Sequence, residues 1–156
     1  MPRILLIVAI CLLTACASEA PPPPPTKVIL QFQAAADLNP SASGQAAPVR
    51  VRLYELKGGA AFNRADYFSL VDAPQATLAA DLVEQDELLI QPGQQQSLER
   101  TLDEATRLLG IVVAFRDLDS AVWRQLIEVP ANQTSQYSVI LGARAVSAAP
   151  TPTPTK

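Results

Sequence analysis

VRVRLYEL, residues 49–56, reads as one extended segment with two different faces. Val49, Val51 and Leu53 fall on one side and Arg50, Arg52 and Tyr54 on the other, which is the period-two pattern of a strand with one dry face. Tyr54, on the outward side, marks either a contact surface or a cross-strand pair. Upstream, KVILQFQA repeats the pattern, with Val28, Leu30, Phe32 and Ala34 set against Gln31 and Gln33. Downstream, DELLIQPG reads as a strand closed by a turn at Pro92-Gly93. In SLERTL, Leu98, Arg100 and Leu102 alternate with polar neighbours. LLGIVVAF is apolar throughout and fits a central strand buried on both faces, and WRQLIEV and YSVILGA supply two more. About seven short strands separated by turns are the pattern of a β-sandwich. Trp123, at alternating spacing with Ile127 and Val129, belongs to its core rather than to a ligand platform.

One segment breaks the rhythm. FNRADYFSLVDAP carries Phe62, Ala65, Phe68 and Leu70 near helical spacing, and predicts one short helix with Asn63 as N-cap and Pro74 as stop. LDEATRLL, at 102–109, is a weaker helical pattern and reads as a turn with Asp103 and Glu104 in solvent. The other irregularity is the link AADLNPSASGQAAPV between the first two strands. Hairpins usually need two to five linking residues, and this link has about a dozen. Asn39-Pro40, Gly44 and Pro48 supply its turn chemistry. A loop of this length is either mobile decoration or a binding element on a rigid scaffold.

The residue inventory excludes most chemistry. The chain has no histidine, so a Ser-His triad, a Cys-His dyad and a His-ligated zinc site are all ruled out. None of its six glycines falls in a phosphate-binding loop. Carboxylates remain: Asp117 and Asp119 in FRDLDSA, and Glu84, Asp86 and Glu87 in VEQDELL, have the chemistry for an acid/base pair or a calcium site. Neither run has the ligand spacing of an EF-hand, and charged turns are the simpler reading. No metal, cofactor or catalytic residue is assigned. With 12 basic and 15 acidic side chains and a net charge of −3, and no Lys/Arg cluster, nucleic acid is not a partner.

The ends of the chain have their own logic. Arg3, an apolar run from Ile4 to Leu13 and small residues at Thr14-Ala15 have the anatomy of a secretory signal. Ten apolar residues fall short of the roughly 20 that cross a bilayer. The plain reading is a signal cleaved near Ala15 or Ala17. The sharper one is that Leu13-Thr14-Ala15-Cys16 resembles the lipobox of bacterial lipoproteins, in which the Cys is acylated and becomes the first mature residue. The chain has two cysteines, Cys11 and Cys16, and only Cys16 would survive cleavage, so lipid attachment explains it better than redox chemistry. Acylation also removes thiolate catalysis. Ala17, rather than Asp, favours sorting to the outer membrane. Pro21 to Pro25 favour polyproline II, so residues 17–26 form either a stiff spacer of roughly 30 Å or a linker without preferred reach. The expected organisation is a signal at 1–15, a lipidated Cys and Pro-rich spacer at 16–26, a β-sandwich at 27–146, and a disordered Pro/Thr tail at 147–156.

The lipobox, DLNPSASGQAAPVRVRLYELKGGAAFNRADYFSL, DELLIQPG and GIVVAFRDLDSAVWR occur in this order and spacing in a known family. In these motifs the chain resembles the TssJ (SciN) lipoproteins of bacterial type VI secretion systems, over nearly the whole mature domain. The resemblance implies an all-β fold, a transthyretin-like two-sheet β-sandwich with a short added helix and a long loop between the first two strands. It implies a non-catalytic lipoprotein, attached through Cys16 to the periplasmic face of the outer membrane, that binds the periplasmic C-terminal region of TssM in a complex with TssL. The family's partner-binding loop maps onto Asp37, Leu38, Asn39, Pro40, Ser41, Gly44 and Gln45. Ser41, Gln45, Ala46 and Ala47 depart from the common pattern and remove an acid and a base. That leaves backbone and apolar contact through Leu38 and Pro40. Deleting 38–45 is expected to abolish partner binding without unfolding the domain. The rival is a solitary lipoprotein that binds a small ligand or glycan through the acidic turns at 84–87 and 117–119.

Overall fold

The computed structural model describes residues 21–151. Eight strands among them form two four-stranded sheets. They are β1 (Lys27–Ala34), β2 (Val49–Leu56), β3 (Leu82–Ile90), β4 (Gln95–Thr101), β5 (Leu108–Val113), β6 (Arg124–Glu128), β7 (Thr134–Leu141) and β8 (Val146–Pro150). One sheet has the order β4-β1-β7-β8 and the other β3-β2-β5-β6. All neighbours are antiparallel except β1 and β7, which run parallel. The dry faces oppose each other. Val28, Leu30 and Phe32 of β1 meet Val49, Val51 and Leu53 of β2, with Ile111, Val113, Val139 and Leu141 closing the core. This is the two-sheet sandwich expected from the alternation.

The expected domain boundary at 146 is four residues short. Ser147 to Pro150 continue β8, whose register runs from Leu141↔Val146 to Tyr137↔Pro150. VSAAP offers one strong strand former, and its composition alone suggests a tail. Pairing with β7 overrides that, and Pro150 is tolerated because β8 is an edge strand that needs no N–H on its open side. The rest of the tail, residues 152–156, lies outside the described residues, as do the signal, the lipobox and Cys16.

The expected single helix is three short ones, α1 (Ala60–Arg64), α2 (Tyr67–Asp72) and α3 (Pro74–Leu78). Asn63 sits inside α1, and Asp66 is the N-cap of α2, its side chain accepting from Ser69 N at 3.0 Å. Pro74 starts α3 rather than stopping a helix, because the first helical turn has no use for the missing N–H. Helices of five or six residues are unstable in isolation. Burial of Phe62, Leu70 and Leu78 against Tyr54, Leu56 and Val112 on the outer face of β2 and β5 holds them. Gly110 makes the fit possible, since a Cβ there would lie 2.6 Å from Phe62 Cε2. β5 is therefore buried on both faces, by the sandwich core beneath and the helices above, as its unbroken apolar run indicates. No helix among the described residues is long and apolar enough to cross a membrane.

Tyr54 is neither an exposed contact nor a plain cross-strand pair. Its ring is fully buried under the helices, and its hydroxyl donates to Leu70 O at 2.8 Å. Burial pushes this phenol above its ordinary value, with the Arg52 guanidinium pulling the other way, so it stays a neutral donor. Trp123 is partly buried and packs on both clusters. Of the turn expected at 102–109, residues 102–107 lie outside regular structure, while Leu108 and Leu109 already open β5.

Candidate functional site: the loop pole of the sandwich

Strand directions divide the connections between two ends. β1 begins beside the end of β4 and the start of β7 (Lys27↔Thr101, Lys27↔Thr134) and ends beside Leu141. The proline segment thus enters at one pole, and the loop at 35–48 leaves at the other. The same register places the β3–β4 turn (91–94), the β5–β6 connection (114–123) and the β7–β8 turn (142–145) at the loop pole. Gly93 N donates to Ala35 O at 3.0 Å, Asn39 N to Ala143 O at 2.9 Å, and Val122 N to Arg144 O at 2.9 Å.

The long loop is a hydrogen-bonded structure. Leu38 is fully buried and belongs to the sandwich core. Asn39, 4% exposed, adopts φ 49, a left-handed conformation that asparagine tolerates better than most residues. Its amide nitrogen donates to Pro48 O at 3.0 Å, and its Oδ1 accepts from Arg116 N at 2.8 Å. One side chain thereby ties both ends of the loop to the β5–β6 connection. Ala47 N donates to Leu38 O at 2.9 Å and closes the base. Beyond it the tip folds on itself: Ser41 N donates to Gln45 O and Gly44 N to Ser41 O, each at 2.9 Å, with Gly44 at φ 80.

The seven expected contact residues therefore divide. Asp37, Gly44 and Gln45 are exposed and Pro40 and Ser41 are half-buried, all at the surface of the pole. Leu38 and Asn39 are interior. The expected apolar contact through Leu38 is corrected by its burial, which leaves Pro40 as the accessible apolar group at that corner. Deleting 38–45 would remove a core leucine and the amide that pins the loop, so it would damage the fold as well as the surface. A change confined to 41–45 spares both.

Three residues that the sequence does not single out complete this pole. Arg144 Nε lies 3.4 Å from Asp117 Oδ2, and Ser120 Oγ donates to the same carboxylate. Arg116 is exposed next to them. Nothing in the local sequence signals that 116–120 and 143–144 adjoin residue 39, because that neighbourhood arises from sheet order.

The acidic turns do not assemble a site. Asp86 and Glu87 are adjacent on β3 and so point to opposite faces. Asp86 pairs with Arg100, and Glu87 with Arg50 at 3.2 Å and Arg52 at 2.9 Å. Asp117 is taken by Arg144, and Glu84 and Asp119 are exposed. Among the described residues no group of three carboxylates gathers as metal ligands. A buried carboxylate does exist, at Glu55 on the dry face of β2. Its Oε2 accepts from Thr106 Oγ1 at 2.8 Å and Asp103 N at 3.2 Å, and Oε1 is 3.8 Å from Arg100. It fastens the β4–β5 turn at the opposite pole, a structural role.

Residues 26–144 match the family model described as type VI secretion lipoprotein, VasD, EvfM, TssJ, VC_A0113. The T6SS lipoprotein TssJ1 from Pseudomonas aeruginosa is similar in crystal structure. It is 57% identical with a TM-score of 0.82, over 84% of this chain and 100% of that one. Serratia marcescens Lip, a membrane-bound component of the type VI secretion system, has the same fold at 24% identity and TM-score 0.75, over 80% and 98% of the two chains. A chain in the structure described as the T6SS protein TssM C-terminal domain from EAEC is 25% identical with TM-score 0.63, over 82% and 99%. Among curated proteins, none matches.

Proposed function

The chain belongs to the TssJ (SciN) family of type VI secretion lipoproteins, and from that premise we propose that it is a non-catalytic bridge element of the secretion apparatus. Cys16 carries the acyl chains and holds the protein on the periplasmic face of the outer membrane. Residues 17–26 lift the sandwich off the lipid. The loop pole, through Asp37, Pro40, Ser41, Gly44 and Gln45, meets the periplasmic C-terminal region of TssM, which with TssL forms the membrane complex.

The observation that carries this reading is the placement of the two ends of β1. The tether enters at Lys27 and the loop leaves after Ala34, and eight extended residues separate them by ~26 Å. A chain anchored at one pole presents the other away from its membrane, towards a partner rooted in the opposite one. The pinned base supports the same reading, since a preorganised loop loses less entropy on binding. The neighbour described as TssM C-terminal domain suggests the partner.

The test is fractionation and co-purification in the native host. Wild-type protein is expected in outer-membrane fractions and should co-purify with TssM. Cys16→Ser should leave outer-membrane fractions yet still co-purify with TssM after detergent extraction, because the tether and the loop leave the sandwich at opposite ends of β1. Cys16→Ser protein that stays in the outer membrane refutes the anchor, and wild-type protein that fails to retain TssM refutes the partner.

A further inference from the structure

The helices cover only part of the outer face of the β3-β2-β5-β6 sheet. Beyond them, towards the loop pole, lies a surface with unusual composition. Phe68 is 63% exposed, Leu89 58% and Val122 57%, three of the four large apolar side chains most open to solvent among the described residues. Leu89 is the register partner of Arg50 on this face. Phe68 and Trp123 each stand edge-on to Tyr67, with centroids 5.3 and 5.4 Å away, so three aromatic rings gather where α2 meets the segment before β6.

Beside these rings is a dimple of about 140 Å³ lined by Arg50, Arg52, Tyr67, Val71, Val112 and Ala114. A cavity of that size accommodates one benzene-sized group. Its floor is apolar and its rim is cationic. Arg50 and Arg52 both pair with the carboxylate of Glu87, and Asp72 lies near the same Tyr67. Arg52 is fixed by donation to Val71 O at 2.6 Å, whereas the Arg50 side chain is 56% exposed. Exposed aromatic and aliphatic groups around a pocket, with an arginine at its edge, have the composition of a protein-binding hot spot.

We infer that this pocket is a second docking point for the partner proposed above, and that it takes a segment presenting an apolar side chain next to a carboxylate. The inference rests on that reading of the loop pole and adds to it. The apolar group fills the dimple against Tyr67 and Val71, the exposed Phe68 flanks it beside Tyr67, and the carboxylate pairs with Arg50. The two areas adjoin through Trp123, which stands against Tyr67 of the dimple and follows Val122, whose backbone bonds to Arg144 and Val146 at the loop pole.

The test titrates the full mature chain, in detergent, with the TssM periplasmic region. Phe68→Ala and Arg50→Gln each replace an exposed side chain and should leave the unfolding temperature within about 2 °C of wild type. Each should weaken binding about tenfold, and Arg50→Gln should flatten its dependence on salt. Binding within twofold of wild type for both variants, while a change at 41–45 abolishes it, overturns the pocket and leaves the loop assignment standing. No binding by the wild type overturns both. A wild-type homodimer that either variant dissociates makes a second copy the occupant and overturns the inference.

Discussion

Asn39→Ala should loosen the loop pole and destabilise the whole domain. The side chain makes two hydrogen bonds to backbone, at 3.0 Å to Pro48 O and 2.8 Å from Arg116 N. Each is worth about 1 kcal/mol net, more where the stranded partner stays dry. Alanine at this φ of 49 adds about 1 kcal/mol of left-handed strain. Together these give a loss of about 3 kcal/mol. For a domain of this size that corresponds to a fall in melting temperature of roughly 10 °C. Asn39→Asp keeps an acceptor for Arg116 N and loses the donor to Pro48 O, so its loss should fall between wild type and alanine. Chemical denaturation of the three proteins measures all of this, with equal m-values as the check on two-state behaviour. An Asn39→Ala protein within about 0.5 kcal/mol of wild type, a change of surface-substitution size, would mean that the amide does not pin the loop.

Two more outcomes follow from the helical cover. Gly110→Ala places a methyl group where Phe62 Cε2 sits 2.6 Å away. Overpacking of this kind should cost about 1–3 kcal/mol, and Phe62→Leu in the same chain should recover part of it; a fully stable Gly110→Ala protein contradicts the packing. Asp66 has its carboxyl held below the ordinary 3.8 by hydrogen bonds from the Ser69 hydroxyl and backbone. The cap therefore stabilises α2 above the unfolded carboxylate range and is lost as pH falls through the depressed folded value. NMR titration should find the Asp66 midpoint below that of an unstructured peptide, and a midpoint at or above it contradicts the cap.

The sandwich was legible because its strands obey period two. Val49, Val51 and Leu53 announce a dry face, and the apolar run at 108–113 announces a strand covered twice. β8 was hidden because Ser147, Ala148 and Ala149 have weak strand preference and gain their structure only by pairing with β7. The helices were located but not divided. Asp66 caps a new helix in the middle of the apolar pattern, and Pro74 suits a helix start as well as a stop. Tyr54 and Glu55 both depart from what alternation implies. Helices cover the wet face over Tyr54, while Glu55 occupies the dry face because Thr106, Asp103 N and Arg100 arrive there from β4 and its turn. The candidate site was legible as a long loop with an Asn-Pro turn. Which of its residues face outward was not, since the burial of Leu38 and the bonds of Asn39 depend on contacts with residues 116 and 143, set by topology.

The most direct measurement places a single thiol at the pole proposed to meet the partner. The chain has two cysteines. Cys11 departs with the proposed signal and Cys16 is acylated in the proposed mature protein, so Ser43→Cys would be the sole free thiol. Labelled with a short photo-crosslinker in the native envelope, it should capture TssM. Gln133→Cys, in the β6–β7 turn at the tether pole, should not. Capture from position 133 with none from 43 would reverse the polarity on which the proposed bridge depends.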